Sequence, residues 1–453
     1  MHLQPAVAAL LGALIASPAT AAGAQTGSGT LLLTRTVDRT ELHTVRDDGA
    51  NPRRLGDVGR ILTSPGWSPD GSRVVFARSR GEPTGPDVWT MRADGGDSRF
   101  LAGTRHADLL PSFSPDGRHV AFVAHATTRF LLQVVGADGS GLRALVDAPF
   151  AFTYDWSPDS RRIVLAHERG AISVVEVESG RVRQLPNVSG DWPSWSPDGT
   201  LIAFGRFDRQ IAGARLHVMA PDGTGLRQLS TQPIAEPAAW GPDSRSLAFT
   251  GRRIVTYARY GPVFATEIFS VRADGSNERK LTRAGSETMP SWSSDGSRIA
   301  FTTARDPDRL GRRAAYVMNA DGSCESRVAA GVVWPDAWRP GPEASRPPLE
   351  CADLGLSLRA KRRVIGRLQR ARFVVRVRND GNRAATNIVV RFAPGGRTQV
   401  KIGRLAAGAA RTVDFAVRPR REGVFVARAN VRASEPDRNR SDNTATLTLR
   451  VLS

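Results

Sequence analysis

Pro193-Ser194-Trp195-Ser196-Pro197-Asp198-Gly199, followed by Leu201-Ile202-Ala203-Phe204, is the stretch whose reading decides the fold. It recurs with small changes around Trp67, Phe113, Trp156, Trp240 and Trp292, and in worn form at Trp338. Each copy predicts a strand, a tight turn and a second strand. Aromatic and β-branched residues run into Ser-Pro-Asp-Gly, where proline presets φ and glycine takes the position at which a side chain would clash. Successive copies are 46, 43, 39, 45, 52 and 46 residues apart. Self-similarity at that period belongs to radial or solenoid arrays of small sheets.

Each unit can be followed through four strands, A to D. In the fifth, A enters through Pro193-Ser194-Trp195, B is Leu201 to Arg206, C is Arg215 to Met219 and D is Leu226 to Leu229. A second turn, Pro221-Asp222-Gly223, joins C to D and recurs at Asp48-Gly49, Asp94-Gly95, Asp138-Gly139, Ser179-Gly180, Asp274-Gly275 and Asp321-Gly322. The aromatic motifs are offset from these hairpins. The first hairpin, Leu31-Leu32-Leu33 with Glu41 to Arg46, has no motif before it, and Ala337-Trp338-Arg339-Pro340 has no hairpin after it. The C-terminal piece is therefore expected to supply strand A to the N-terminal sheet, closing a ring without exposed edges. The count predicts an all-β chain with a seven-bladed β-propeller over residues 30–340; six blades, with the ends arranged differently, is the alternative. Nine residues beyond each motif aromatic stands Phe76, Phe122, Leu165, Phe204, Phe249 or Phe301. That register is expected of packed core rather than of an aromatic cage for a ligand.

These units resemble the WD-repeat-like propeller repeats of TolB-type proteins, in which a blade reads P-x-W-S-P-D-G, then I-A-F, then a strand, then D-A-D-G and L-T. The run from Met289-Pro290-Ser291-Trp292-Ser293-Ser294-Asp295-Gly296 through Ile299-Ala300-Phe301 to Ala320-Asp321-Gly322 is a close match. The resemblance implies a propeller fold. Such blades occur both in the TolB component of an envelope complex and in regulatory domains of prolyl-oligopeptidase-like enzymes. The sequence shows neither the N-terminal α/β domain of TolB nor a hydrolase domain.

Residues 1–24 read as a secretory signal peptide. An apolar run from Ala6 to Ile15 leads to the small-residue segment Ser17 to Ala24, with cleavage expected after Ala21 or Ala24. The alternative, a retained anchor, needs ~20 apolar residues. The mature protein is thus expected to be secreted or periplasmic, soluble and monomeric. Cys324 and Cys351 are the only cysteines. Outside the cell such a pair forms either a disulfide or two free thiols, and the disulfide is expected. Of 63 basic residues only Lys280, Lys361 and Lys401 are lysine, an arginine bias that suggests a GC-rich genome. The net charge of +19 is concentrated at the end: residues 351–453 hold 23 basic and 7 acidic residues.

Residues 341–351 form a Pro-rich linker that cannot join a sheet interior. Beyond it, 352–453 alternates at period two. Phe373, Val375 and Val377 oppose Arg376 and Arg378; Val413, Phe415 and Val417 oppose Asp414 and Arg418. Phe425, Ala427, Ala429 and Val431 oppose Arg428 and Arg432; Ala445, Leu447, Leu449 and Val451 oppose Arg450. About seven such strands predict an immunoglobulin-like β-sandwich. Ala352-Asp353-Leu354, Val375-Arg376-Val377-Arg378-Asn379-Asp380-Gly381 and Asp442-Asn443-Thr444-Ala445 resemble the bacterial cell-adhesion-related domain CARDB. That resemblance implies an extracellular interaction module without enzymatic activity.

The sequence lacks a Gly-x-Ser-x-Gly elbow, a His-Glu-x-x-His pair, a phosphate loop and a dinucleotide fingerprint. Neighbouring blades could pair His125 with His167, but metal sites need further ligands. The repeated Asp residues are turn formers rather than calcium ligands. No cofactor and no metal are expected. The most varied segments are the B–C loops and the D–A connections, which share one end of the ring. The longest loop, 252–264, carries Arg252, Tyr257, Arg259, Tyr260 and Phe264, and Trp192, Glu236 and Trp334 should border the channel mouth beside it. Tyr, Trp and Arg are hot-spot residue types, so this end is expected to bind a protein or peptide. The basic tail suits an anionic cell-wall polymer or membrane surface; nucleic acid fits the charge but not the export signal. A non-enzymatic exported scaffold is the leading expectation. A hydrolase or lactonase with a site assembled at the channel mouth is the alternative.

Overall fold

The computed structural model describes residues 29–452 except 37–39, 60–64, 80–84, 127–128, 149–152, 168–169, 209–210, 212, 259–260, 283–284, 305–312, 341–348, 353, 362–363, 367–368, 382, 394–397, 419–421 and 434–442. Among these residues every regular element is a strand. The chain divides into two compact units, Met1–Ala320 with Arg327–Arg346, and Asp321–Ser326 with Pro347–Ser453.

In the first unit the strands group into seven antiparallel sets of four. The first set is Val332–Trp338, Thr30–Thr36, Thr40–Arg46 and Arg53–Gly59; the second is Gly66–Trp67, Arg73–Ser79, Pro86–Arg92 and Arg99–Ala102. The third is Ala107–Phe113, His119–Ala126, Arg129–Gly136 and Arg143–Ala148; the fourth is Thr153–Trp156, Arg162–Ala166, Ala171–Glu176 and Val182–Ser189. The fifth is Asp191–Trp195, Ile202–Asp208, Gly213–Met219 and Arg227–Ile234; the sixth is Ala239–Trp240, Ser246–Ala258, Gly261–Arg272 and Arg279–Lys280. The seventh is Glu287–Trp292, Arg298–Thr303, Ala314–Asn319 and Ser326–Ala330. The fifth and sixth join edge to edge where Ile234 faces Gly251. The last strand, Val332–Trp338, pairs antiparallel with Thr30–Thr36, so the C-terminal end of this unit completes its N-terminal sheet.

The turns form for the reason their residues suggest. In Ser196-Pro197-Asp198-Gly199, the Ser196 hydroxyl donates to Asp198 Oδ1 at 2.6 Å, the Thr200 N–H donates to the same oxygen at 3.0 Å, and Gly199 takes φ +72°. Asp70, Asp116, Asp159 and Asp295 repeat the arrangement. Burial alone would raise the carboxyls of Asp70, Asp116, Asp159 and Asp198, but the serine and backbone donors outweigh it and hold them below the usual value.

Consecutive sheets share apolar cores. Leu32, Leu42 and Leu55 of the first meet Trp67 and Phe76 of the second, and the fourth and fifth meet through Val164, Leu185, Trp195 and Phe204. The same pattern joins the second to the third, the third to the fourth, the fifth to the sixth and the sixth to the seventh. The residues nine beyond each motif aromatic are 0–1% exposed, as core requires. Burying each contributes roughly 1.5–3 kcal/mol.

Polar ties repeat beside these cores. Arginine is the first or second residue of strand D in all seven sets: Arg53, Arg99, Arg143, Arg183, Arg227, Arg279 and Arg327. Four of them donate to a carbonyl at the C–D turn of the next sheet: Arg143 to Val177, Arg183 to Pro221 at 2.8 Å, Arg227 to Ala273 at 2.7 Å and Arg279 to Ala320 at 3.3 Å. Two motif tryptophans tie back to strand A of the preceding sheet, Trp240 Nε1 donating to Ser194 O at 3.2 Å and Trp338 Nε1 to Ser291 O at 3.0 Å. At the closing boundary, the buried Arg298 of the seventh sheet pairs with the buried Asp47 in the C–D turn of the first.

The second unit is a sandwich of eight strands, one more than the alternation suggested. Leu354–Ala360, Ala371–Asn379 and Ala410–Val417 form one sheet. Val364–Gly366, Thr444–Leu452, Gly423–Arg432, Ala385–Ala393 and Thr398–Leu405 form the other, in that order. The extra element, Val364–Gly366, is too short to show a period and pairs parallel with Thr444–Leu452. Phe373 packs against Phe392 at 5.0 Å and Phe425 at 6.2 Å, and Phe392 stacks on Phe415 at 4.7 Å. Cys324 and Cys351, both buried, are joined as a disulfide within this unit.

Candidate functional site

The segment expected as the longest loop is a two-stranded ribbon instead. Ser246–Ala258 and Gly261–Arg272 stay paired from Ser246 opposite Arg272 out to Ala258 opposite Gly261. Ile254, Val255, Thr256 and Tyr257 are β-formers, so the ladder continues where a loop would have needed turn residues. The ribbon extends from the B–C end, opposite the Asp-Gly turns. Ile254 faces Phe264 across it, 45% and 40% exposed, with Val255 at a register shift and 50% exposed. The Arg252 guanidinium lies 4.7 Å from the Phe264 ring centre, and Arg253 is exposed beside it. Arg252, Ile254 and Phe264 thus make one cationic and apolar surface. Arg259 and Tyr260 lie outside the described residues, as do the side chains of Tyr257 and Trp334.

Two residues expected at the channel mouth have other duties. Glu236 is buried: Oε2 accepts from Thr250 Oγ1 at 2.8 Å and from the Met289 N–H of the next sheet at 2.9 Å. Burial raises its pKa, against the lowering effects of Thr250, Met289 and the charge of Arg313. It acts as a tie between sheets, not as an exposed partner contact. Trp192 is half-buried against the core shared by the fifth and sixth sheets and takes φ +56°. Leu110 and Met289 occupy the same position, φ +54° and +60°, each before a proline and each beside a register shift. This repeated bulge turns the Met289 N–H away from its own ladder and toward Glu236.

Other titratable groups are engaged structurally. Asp155 Oδ2 accepts the Trp195 N–H at 2.8 Å, and burial pushes its carboxyl up to about 8. Asp108 is raised to about 6, first by burial and also by the charge of Asp87, while Thr104 donates to it through N–H at 2.7 Å and hydroxyl at 2.8 Å. His125 and His167 each have a partner within their own sheet. His125 stacks on Phe130 at 4.4 Å and is lowered by burial and by His106, while His167 Nε2 lies 2.9 Å from Ser173 Oγ. Among the described residues no group of three or more His, Cys, Asp or Glu is placed to hold a metal ion.

Asp155 gives a pH test. The folded state keeps its proton to about pH 8, whereas the unfolded carboxyl loses it near its ordinary value of 3.8. Between these values the native state binds more protons, so stability falls as pH rises through the window, by at most about 1.4 kcal/mol per pH unit. Asp155→Asn keeps an acceptor for the Trp195 N–H and removes that slope. Urea unfolding of both proteins from pH 5 to 8 checks it; equal slopes would refute the assignment.

The family model for the TolB beta propeller domain matches residues 25–191, and that for CARDB matches residues 352–446. The chain is 39% identical over 101 residues to the Tol-Pal system protein TolB of Gluconobacter oxydans (strain 621H), a match covering 22% of this chain and 21% of that protein. It therefore spans about a fifth of that curated relative's length. The crystal structure of TolB from Acinetobacter baumannii matches at 16% identity and a TM-score of 0.43, over 56% of this chain and 65% of that one. The solution structure of the CARDB domain of PF1109 from Pyrococcus furiosus matches at 23% identity and a TM-score of 0.21, over 23% of this chain and 98% of that one. The protein joins a TolB-type β-propeller domain to a C-terminal CARDB domain.

Proposed function

We propose that the protein is an exported, non-enzymatic scaffold. Residues 30–340 present the ribbon of the sixth sheet to a protein or peptide partner, and 352–453 attach to an anionic surface of the envelope. Residues 341–351 link the two, and 1–24 serve as the secretory leader. One observation carries this reading: a paired ribbon projecting past its sheet, with Arg252, Ile254 and Phe264 on one face. Exposed apolar and cationic residues on a preformed scaffold are a binding surface with low ordering cost. The match to a Tol-Pal system protein supports an envelope setting. Asp155 and Asp108, whose carboxyls burial raises, already accept backbone donors, which argues against their acting on a substrate.

A photo-crosslinking side chain placed at Ile254 or Phe264 should yield a discrete adduct with an envelope protein. The same group at Ser276, in a C–D turn at the other end, should not. Equal adducts from both ends would remove the ribbon from the account.

A further inference from the structure

We propose that the outer face of the five-stranded sheet in the C-terminal unit seats the protein on an anionic lipid bilayer. This rests on the reading that the basic unit attaches to an anionic envelope surface, and it names the surface and the face.

The five strands Val364–Gly366, Thr444–Leu452, Gly423–Arg432, Ala385–Ala393 and Thr398–Leu405 contain no Asp or Glu. They do contain Arg391, Lys401, Arg404, Arg428, Arg432 and Arg450, all exposed. Alternation and register place five of these on the outer face. Along Gly423–Arg432, Phe425, Ala427, Ala429 and Val431 turn inward, which turns Val424, Val426, Arg428 and Arg432 outward. Arg428 lies opposite Ala393, Arg432 opposite Val389, and Val389 opposite Lys401; Arg391 lies opposite Gln399. Arg450 stands between Val424 on one side and Val364 on the other. The result is a cationic face whose charges are set by strand spacing.

One end of this face is apolar. Val424 is 75% exposed, Val364 and Val426 are each 49%, and Leu452 is 46%. Val424 and Val364 flank Arg450 directly, and Val426 faces Thr448. Exposed apolar residues beside cations suit the boundary between headgroups and acyl chains, where phosphates meet the arginines and the valines leave water. A hydrated anionic polymer would satisfy the arginines but cover nothing apolar. The valine corner therefore favours lipid.

The test is flotation of the full chain with vesicles of phosphatidylcholine alone or mixed equally with phosphatidylglycerol, beside pull-down on a purified anionic cell-wall polymer. Binding to the mixed vesicles only is expected, weakening as salt rises. R428Q/R432Q/R450Q should weaken partitioning roughly 100-fold at low salt. V424N/V426N, which leaves the charge unchanged, should weaken it several-fold. R372Q/R376Q, on the three-stranded sheet, should change it least. Thermal melts of each variant separate lost binding from lost folding. Polymer capture without vesicle binding overturns the lipid seat and leaves anionic attachment standing; binding to neither overturns both. An unaltered V424N/V426N variant, or an R372Q/R376Q variant as weak as R428Q/R432Q/R450Q, overturns the face assignment.

Discussion

Replacing Arg298 by Met should lower the unfolding free energy by about 3–5 kcal/mol, the usual cost of removing one member of a buried ion pair. Arg298 begins strand B of the seventh sheet, and its partner Asp47 lies in the C–D turn of the first. Both are buried, so the carboxylate left behind has no solvent to take it up. Asp47→Ala should cost a similar amount. The double variant should recover most of the loss, because Ala is already the residue at this turn position in Ala93, Ala137, Ala273 and Ala320. A double-mutant cycle by urea unfolding would then give a coupling of at least about 2 kcal/mol. Single variants that each cost under about 1 kcal/mol would show that the pair does not fasten the closing boundary. Hydrogen exchange adds a local readout: in R298M the amides shared by Thr30–Thr36 and Val332–Trp338 should lose protection first.

That pair also shows what could be read from the sequence and what could not. The strand–turn–strand repeat was legible because Ser-Pro-Asp-Gly is a local device: proline, the Asp side chain and a positive-φ glycine act within seven residues. The core was legible for a similar reason, since a fixed offset of nine between large apolar residues follows from hairpin register. The alternation of 352–453 gave the inward faces of the sandwich, which Phe373, Phe415, Ala427 and Leu449 occupy. Ties between sheets were harder. Seven arginines at the start of strand D recur with the repeat, yet in an arginine-rich chain they looked like composition. Asp47 is one of three departures from Ala-Asp-Gly among the seven hairpins, a signal visible once its partner 251 residues away is known. Glu236 looked like a rim residue because a sequence does not reveal that the Met289 N–H is turned toward it. The ribbon reads as a loop by its length, while its β-branched residues keep the ladder going.

The second large effect is expected from the disulfide. Cys324 and Cys351 are 27 residues apart, and the loop they close contains both Ser326–Ala330 and Val332–Trp338. The second of these strands completes the first sheet beside Thr30–Thr36. Without the bond, the chain that must return to that edge gains the freedom of an open segment. Loop-closure entropy for this length is on the order of 3–4 kcal/mol. C324S/C351S, or the unaltered protein held reduced, should therefore unfold at a lower urea midpoint by about that free energy. The site of the loss can be resolved as well. If the bond acts through the closing strand, exchange at Leu31, Leu32 and Leu33 should quicken more than at Phe373 or Val375 in the sandwich. If it acts through its own surroundings, where Cys351 O accepts the Arg383 N–H at 2.9 Å, the sandwich amides should quicken first. An unchanged midpoint would mean that the strand returns to its edge unaided, and that the packing around Trp338 and Leu32 is sufficient to hold it there.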